Sequence, residues 1–168
     1  GHYDSVGAFQ SKESPYFSWF DFHNWPNEYG SWWGIYTLPQ VNESDGSYQD
    51  YIIEDEDSVV RRWLRLGASG WRLDVAADLG KTEEFNHAFW RMFRTAVKSV
   101  SPDKLILAEH YGDAAPWLTG NQWDSIMNYD AFMEPVTWFL TGMEKHSDQY
   151  REDMLGNADN FFGAMHHN

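Results

Sequence analysis

The hydrophobic pattern of the chain changes at about residue 57. Residues 1–56 mix aromatic residues with Gly, Asn, Ser and Asp without a sustained period, which predicts a long ordered loop region. From Asp57 onward, stretches of helical period alternate with short apolar runs, and this alternation predicts parallel strands in an α/β architecture. Because no linker separates the two stretches, we expect a single domain over residues 1–168.

The first predicted helix is capped by Asp57 or Ser58 and ended by Gly67. Its apolar side consists of Val59, Val60, Trp63, Leu64 and Leu66. Residues 70–76, GWRLDVA, then predict a short buried strand.

A second helix is predicted between Thr82, its cap, and Pro102, which ends it. Apolar residues recur at positions i, i+4, i+7, i+8 and i+12 of this segment, namely Phe85, Phe89, Met92, Phe93 and Val97. His87 lies outside this stripe, so we expect it on the solvent side of the helix.

Three further elements follow. Residues 105–108 are a continuous apolar run, as expected of a strand buried on both faces. A loop with a short helical turn near residues 116–118 leads to a third strand over 125–129 and a third helix over 131–140.

Composition narrows the possible partners. The formal net charge is −14, which disfavours binding to a phosphate backbone or an anionic membrane surface. The chain has no Cys, so it holds no disulfide, thiolate zinc site or cysteine nucleophile. Its apolar runs are far shorter than the roughly 20 residues of a membrane span. We therefore expect neither nucleic acid nor membrane as a partner.

Aromatic residues make up 18% of the chain. Their flat faces suit sugar rings, but aromatic rings also dominate protein cores. Both interpretations stay open for Trp25, Trp32 and Trp33, which either stack on a sugar or hold the long loop in place.

Two carboxylates occupy the positions where chemistry is expected. Asp74 and Glu109 each lie where an apolar strand runs into a polar loop, one strand–helix unit apart, so adjacent parallel strands would hold them side by side. Two carboxyl groups about 5 Å apart are the arrangement for retaining glycoside hydrolysis. Arg72 lies two residues before Asp74, on the same strand face, and can keep Asp74 ionised. Spacing alone leaves a second interpretation open, in which Asp74 caps its loop and forms a plain ion pair with Arg72.

Five segments resemble the α-amylase family of glycoside hydrolases, in the branch of the neopullulanases, cyclomaltodextrinases and amylopullulanases. Residues 70–76 resemble the nucleophile segment of this family, and residues 107–109 its acid/base strand. The following loop (113–118), the next strand (124–129, DSIMNY) and the short signature at 38–42 (LPQVN, similar to MPKLN) also match. The matches occur in family order across about residues 30–140.

The resemblance implies a role for each residue of the site. Asp74 is the nucleophile, Glu109 the general acid/base, and Arg72 orients the nucleophile and the sugar. His110, followed by Tyr111, departs from the usual Ile/Val-Trp pair after the catalytic Glu, and we expect His110 to contact substrate at the neighbouring subsite. The implied activity is hydrolysis of α-glucosidic bonds in starch-like glucans or maltooligosaccharides. Transfer to a sugar acceptor, or a non-catalytic binding or scaffold barrel, remains as an alternative.

The resemblance also implies a partial (β/α)8 TIM barrel. The chain holds about three of eight β/α units, whereas the family's early Asn-His segment and its third carboxylate would lie before residue 1 and after residue 168. We therefore expect an internal fragment that is inactive by itself. No cofactor is evident, since adjacent residues such as His166 and His167 suit a single metal ion poorly on a helix or strand, and the acidic run 54–57 lacks the spacing of a calcium loop. Calcium stays open for the full-length protein, as do its oligomeric state and compartment.

Overall fold

The chain divides into two compact units, Gly1–Val59 and Val60–Asn168. The computed structural model describes residues 5–136. The change in the hydrophobic pattern at about residue 57 lies close to this division. The expectation of one domain over residues 1–168 stays a prediction. Residues 131–136 of the predicted third helix are helical, whereas its residues 137–140 and the pair His166 and His167 lie outside the described residues.

The first unit consists of short elements joined by loops. Strands β1 (Phe22–Asn24) and β2 (Glu28–Tyr29) pair antiparallel. Helix α1 (Gly46–Gln49) is capped by Asp45, whose side chain accepts a hydrogen bond from Tyr48 N. The sequence pattern predicted a loop region here and missed the small sheet, because strands of three and two residues are too short to show alternation.

The tryptophans of this unit differ in their surroundings. Trp25 Nε1 donates a 2.9 Å hydrogen bond to Ala8 O, so this indole helps to hold the loop together. Trp32 and Trp33 stack with their centroids 5.3 Å apart, and Trp33 is 84% exposed. Contact of these two rings with sugar stays a prediction.

The second unit contains the predicted alternation of helices and parallel strands. Its helices are α2 (Val59–Arg65) and α3 (Glu83–Val100), and its strands are β3 (Gly70–Leu73), β4 (Leu105–Ala108) and β5 (Ser125–Ile126). The strands form one parallel sheet in the order β3–β4–β5. Leu73 is opposite Ala108, which is in turn opposite Ile126.

Helix α2 buries a narrower stripe than its sequence predicted. Val60 and Leu64 are each 2% exposed, whereas Trp63 is 54% and Leu66 68% exposed. Only one i, i+4 pair faces inward because the helix has two turns and its neighbours cover a single side.

Helix α3 begins as predicted, with Thr82 accepting a hydrogen bond from Phe85 N, and it ends at Val100. The solvent-facing placement predicted for His87 is wrong. Its side chain is 17% exposed, and its Nδ1 lies 2.7 Å from Gln122 Oε1. The loop after β4 covers this side of the helix, with Trp117 5.1 Å from the His87 ring, and helical period alone does not reveal such a cover.

The strands differ from prediction in three respects. Strand β3 ends at Leu73 instead of residue 76, because Val75 has a left-handed φ of +44° and a 3₁₀ turn follows over Ala76–Asp78, and Leu73 is its one buried residue. Within the described residues β4 is buried on one face only, because Ile106 and Ala108 are 0% exposed while Leu105 is 46% exposed. Strand β5 ends at Ile126 instead of residue 129. Asn128 stops it by accepting a hydrogen bond from Ala131 N, which starts a π-helical turn over Tyr129–Met133.

One carboxylate joins α3 to the amino ends of the strands. Asp124 accepts hydrogen bonds from Arg94 Nη1 at 2.6 Å and Lys98 Nζ at 2.7 Å. Its Oδ2 also accepts from Ile106 N at 2.9 Å. These contacts fix the helix against β4 and β5 at the edge of the sheet opposite to the predicted site.

Among the described residues, no helix is both long enough and apolar enough to cross a membrane.

Candidate active site

The register of β3 and β4 brings the two predicted catalytic carboxylates to one edge of the sheet. Beyond the last strand pair, Glu109 N donates to Leu73 O at 2.8 Å and Ala76 N donates to Glu109 O at 3.2 Å. Asp74 therefore leaves β3 beside the point where Glu109 leaves β4. Both lie at the carboxyl ends of parallel strands, where barrel enzymes carry their catalytic groups.

Arg72 connects the two carboxylates. Its Nη1 contacts Asp74 Oδ1, and its Nη2 lies 3.0 Å from Glu109 Oε2. Strand alternation places Arg72 and Asp74 on the same face, as predicted. The structure thus brings together all three residues, although their catalytic roles stay predictions.

The neighbouring carboxylates favour the protonated form of Arg72. The hydrogen bond to Asp74 raises the pKa of Arg72 above its ordinary value, and the nearby Glu109 acts in the same direction. The Arg72 side chain is 41% and that of Asp74 79% exposed, and ion pairs this exposed add little to stability. The contact therefore orients the carboxylates more than it stabilises the fold.

The backbone after Asp74 is strained. Val75 has φ +44°, in the left-handed region, which costs a β-branched residue about 1–3 kcal/mol. In this conformation Val75 N donates to Glu109 Oε2 at 3.1 Å. Arg72 Nη2 and Val75 N thus share Oε2, while Oε1 receives no hydrogen bond from the described residues.

His110 is packed among aromatic rings. Its ring lies 5.0 Å from that of Trp117 and 5.8 Å from that of Trp123. Its Nε2 is 3.2 Å from Asp113 O. Substrate contact by His110 stays a prediction.

A stacked pair of tyrosines, which the sequence analysis did not single out, lies near Arg72. Tyr111 and Tyr129 stack with centroids 4.4 Å apart and planes 11° from parallel, and Tyr111 is 60% exposed. Tyr129 OH lies 3.7 Å from Met127 Sδ, which in turn is 3.4 Å from Arg72 Nε. Tyr111 follows Glu109 by two residues, and this spacing is the signal that would have placed it on the same face.

A second group missed by the sequence consists of buried polar side chains. Asn86 and Gln122 are each 2% exposed and hydrogen-bonded. No hydrophobic period identifies such residues, because their partners are loop carbonyls and the side chains of His87 and Trp117, which only the fold brings close.

The described residues contain no group of three or more His, Cys, Asp or Glu side chains that could hold a metal ion. Calcium in the full-length protein stays a prediction.

Comparison with known families agrees with the geometry of the strands. The model of the alpha-amylase catalytic domain matches residues 10–157. This chain belongs to the alpha-amylase family. The predicted resemblance is thereby confirmed, and the three-stranded parallel sheet is part of the TIM barrel of that catalytic domain.

Among curated relatives of this alpha-amylase-family chain, Neopullulanase 2 of Thermoactinomyces vulgaris is 39% identical over 117 residues, which are 70% of the chain and 18% of that protein. An amylopullulanase of Thermoanaerobacterium saccharolyticum is 34% identical over 160 residues, covering 84% of the chain and 12% of that protein. The chain therefore spans less than a fifth of the length of either relative.

Solved structures of two glycan hydrolases are similar to the chain. The type III pullulan hydrolase from Thermococcus kodakarensis gives a TM-score of 0.72 at 26% identity, covering 92% of this chain and 26% of that one. The cyclic alpha-maltosyl-(1→6)-maltose hydrolase from Arthrobacter globiformis gives 0.64 at 33% identity, covering 74% and 27%.

Proposed function

We propose that this chain carries the nucleophile and the general acid/base of a retaining glycosidase that cleaves α-glucosidic bonds. The observation that supports it best is the Arg72 guanidinium placed between Asp74 and Glu109 at the carboxyl edge of a parallel sheet. The sequence matches to the family's nucleophile and acid/base segments fall on these same residues.

In the first half of the reaction, the carboxylate of Asp74 attacks the anomeric carbon and forms a glycosyl ester. As the bond from that carbon to the glycosidic oxygen breaks, Glu109 transfers its proton to the departing oxygen. Oε1 of Glu109 is the atom suited to carry this proton, since Oε2 already accepts from Arg72 and Val75.

In the second half, the now ionised Glu109 takes a proton from water. The water oxygen bonds to the anomeric carbon, and the ester bond to Asp74 breaks. The sugar leaves with the anomeric configuration it had in the substrate. A sugar hydroxyl in place of water would give transfer instead of hydrolysis.

The substrate class is inferred from the relatives and from the surface beside the carboxylates. Names such as pullulan hydrolase and neopullulanase describe α-glucan-cleaving relatives. The stacked rings of Tyr111 and Tyr129 offer a flat apolar face of the kind that packs against a glucose ring. We therefore propose an α-glucan or maltooligosaccharide as the substrate.

The decisive experiment is covalent trapping in the complete gene product that contains this chain. A fluorinated α-glucosyl reagent should leave a single glycosyl adduct, and peptide mapping should locate it on Asp74. An adduct on another carboxylate would show that the nucleophile is misassigned. Folded protein that forms no adduct and cleaves no glucan would favour the non-catalytic barrel.

Substitution of each carboxylate provides an independent test. Asp74→Asn should lower kcat by at least about 10³-fold, and Glu109→Gln by about 10²–10⁴-fold. Asp78→Asn, which changes an exposed carboxylate in the same loop, should keep near-normal activity and is the matched control. Full activity in either of the first two variants contradicts the assignment.

Azide separates the two roles. With a substrate bearing a good leaving group, Glu109→Ala should still form the glycosyl-enzyme, and azide should then give a glycosyl azide of retained configuration. Asp74→Ala cannot form that intermediate, so direct attack by azide should give the inverted product. The opposite pattern of products would exchange the two assignments.

A further inference from the structure

The buried amide of Asn86 lies between the two segments that follow the proposed catalytic carboxylates. Its Nδ2 donates to the carbonyl oxygens of Ala76, Ala77 and Leu79, at 3.0, 3.1 and 2.9 Å. Its Oδ1 accepts a 2.8 Å hydrogen bond from Trp117 Nε1. Residues 76–79 follow Asp74, and Trp117 lies in the turn that follows Glu109, so one side chain holds both segments.

The contacts of Ala76 extend this link to the carboxylates. Ala76 is 0% exposed, and its N donates to Glu109 O while its O accepts from Asn86 and from Trp90 Nε1. The preceding residue, Val75, donates to Glu109 Oε2 from its left-handed conformation. Such a conformation persists where its surroundings over-determine it, and the hydrogen bonds from Asn86 and Trp90 supply that constraint.

Asparagine suits this position because of its chemistry. Three carbonyl oxygens converge on one point and require a donor, while the Trp117 indole requires an acceptor. The carboxamide provides both, and at 2% exposure water is a poor substitute. Its two N–H groups and its oxygen lie on opposite sides of one rigid, neutral group, so it can serve both segments at once.

We propose that Asn86 is a positioning residue that couples the loop after Asp74 to the turn after Glu109, and thereby fixes the mutual placement of the two carboxylates. This inference rests on the proposed function. Asn86 acts only through the segments that it holds. A displacement of about 1 Å between reacting groups can cost about 10²-fold in rate, so loss of the coupling should lower kcat much more than it raises KM.

Two variants break one half of the link each. Asn86→Asp keeps an acceptor for Trp117 but replaces the donor to the three carbonyls with a second oxygen. Trp117→Phe removes the donor to Asn86 and keeps an aromatic ring against Trp123, which is 4.8 Å away. We expect kcat to fall about 10–100-fold in Asn86→Asp and about 3–10-fold in Trp117→Phe, with KM within about 3-fold of the original value.

Asp124→Asn is the matched control. It also breaks partly buried hydrogen bonds of α3, yet those lie at the amino ends of the strands, away from the carboxylates. Assayed well below its unfolding temperature, Asp124→Asn should keep its kcat. If Asn86→Asp and Trp117→Phe lose no more kcat than this control, the amide is only structural and the proposal is wrong.

Amide hydrogen exchange tests the coupling without reference to activity. Trp117→Phe should speed amide exchange in the loop after Asp74, at residues 75–79. Asn86→Asp should speed amide exchange in the turn that holds Trp117, at residues 115–118. In each case the substitution frees the segment on the other side of the Asn86 amide. Unchanged exchange across the link would overturn the coupling even in an active enzyme. If instead exchange changes as expected but the original protein forms no glycosyl adduct, the proposed function fails and the coupling stands. Should Asn86→Asp not fold, Trp117→Phe decides alone.

Discussion

At the scale of single residues, the two arms of the Arg72 guanidinium join Asp74 to Glu109. A lysine ammonium is a single point charge and lacks the planar fork that places one nitrogen against each carboxylate. Arg72→Lys should therefore lower kcat/KM by about 10²-fold, while the free energy of unfolding changes little because the pair is exposed.

Steady-state kinetics together with thermal unfolding measure both effects of Arg72→Lys. Arg62→Lys, at an exposed position of α2, is the control and should change neither quantity. If Arg72→Lys lowers the unfolding temperature but keeps its kcat/KM, the role of Arg72 is structural instead.

Gly70 is required by the close approach of two strands. A methyl group at this position would clash with the carbonyl oxygen of Leu105 on β4. Gly70→Ala should lower the free energy of unfolding by about 1–3 kcal/mol, the usual cost of overpacking. Gly46→Ala is the contrasting variant, since its added methyl meets nothing within 4 Å, and it should leave stability equal or slightly higher. Denaturant titration distinguishes the two, and equal stability would contradict the close approach.

At the scale of elements, Asp124 attaches α3 to β4 and β5. Burial raises its pKa, but the hydrogen bonds from Lys98, Arg94 and Ile106 N outweigh burial, and the pKa lies below its ordinary value of 3.8. Its stabilisation is therefore complete above pH values near 3.8 and is lost as the pH falls through the lowered pKa.

Asp124→Asn should lower the free energy of unfolding by about 1–3 kcal/mol at neutral pH. The difference from the original protein should stay constant above about pH 5 and shrink below the ordinary value of the carboxyl group. Urea titrations at a series of pH values measure this difference. A difference that grows as the pH falls would contradict the lowered pKa.

The hydrophobic pattern of the sequence predicts some features of these elements and misses others. The helical period and the Thr82 cap predicted α3, and the two apolar runs predicted the adjacent parallel strands that place Asp74 beside Glu109. The solvent-facing placement of His87 failed, because the loop after β4 covers that side of the helix. Asn86 escaped notice for a similar reason, since its partners are carbonyls that only the folded loops bring together.

At the scale of the whole molecule, the sheet leaves two edges open within the described residues. Strands β3 and β5 each pair on one side, with β4 between them. Unpaired strand edges are templates for association with other chains, whereas a net charge of −14 keeps copies apart at low salt.

The chain of 168 residues, produced alone, should therefore self-associate more as salt screens this charge. Sedimentation velocity at low and high ionic strength, over a range of protein concentrations, measures the effect. A monomer at all salt concentrations would mean that something in the chain covers the edges.

The hydrogen bond from Trp117 to Asn86 joins positions 31 residues apart in the chain, and it has a consequence for divergence. When a related protein loses the indole at position 117, the acceptor at position 86 is no longer needed for this hydrogen bond. When it loses the amide at position 86, the indole N–H is left without its partner. The two positions should therefore change together, and an alignment of related sequences should show them covarying.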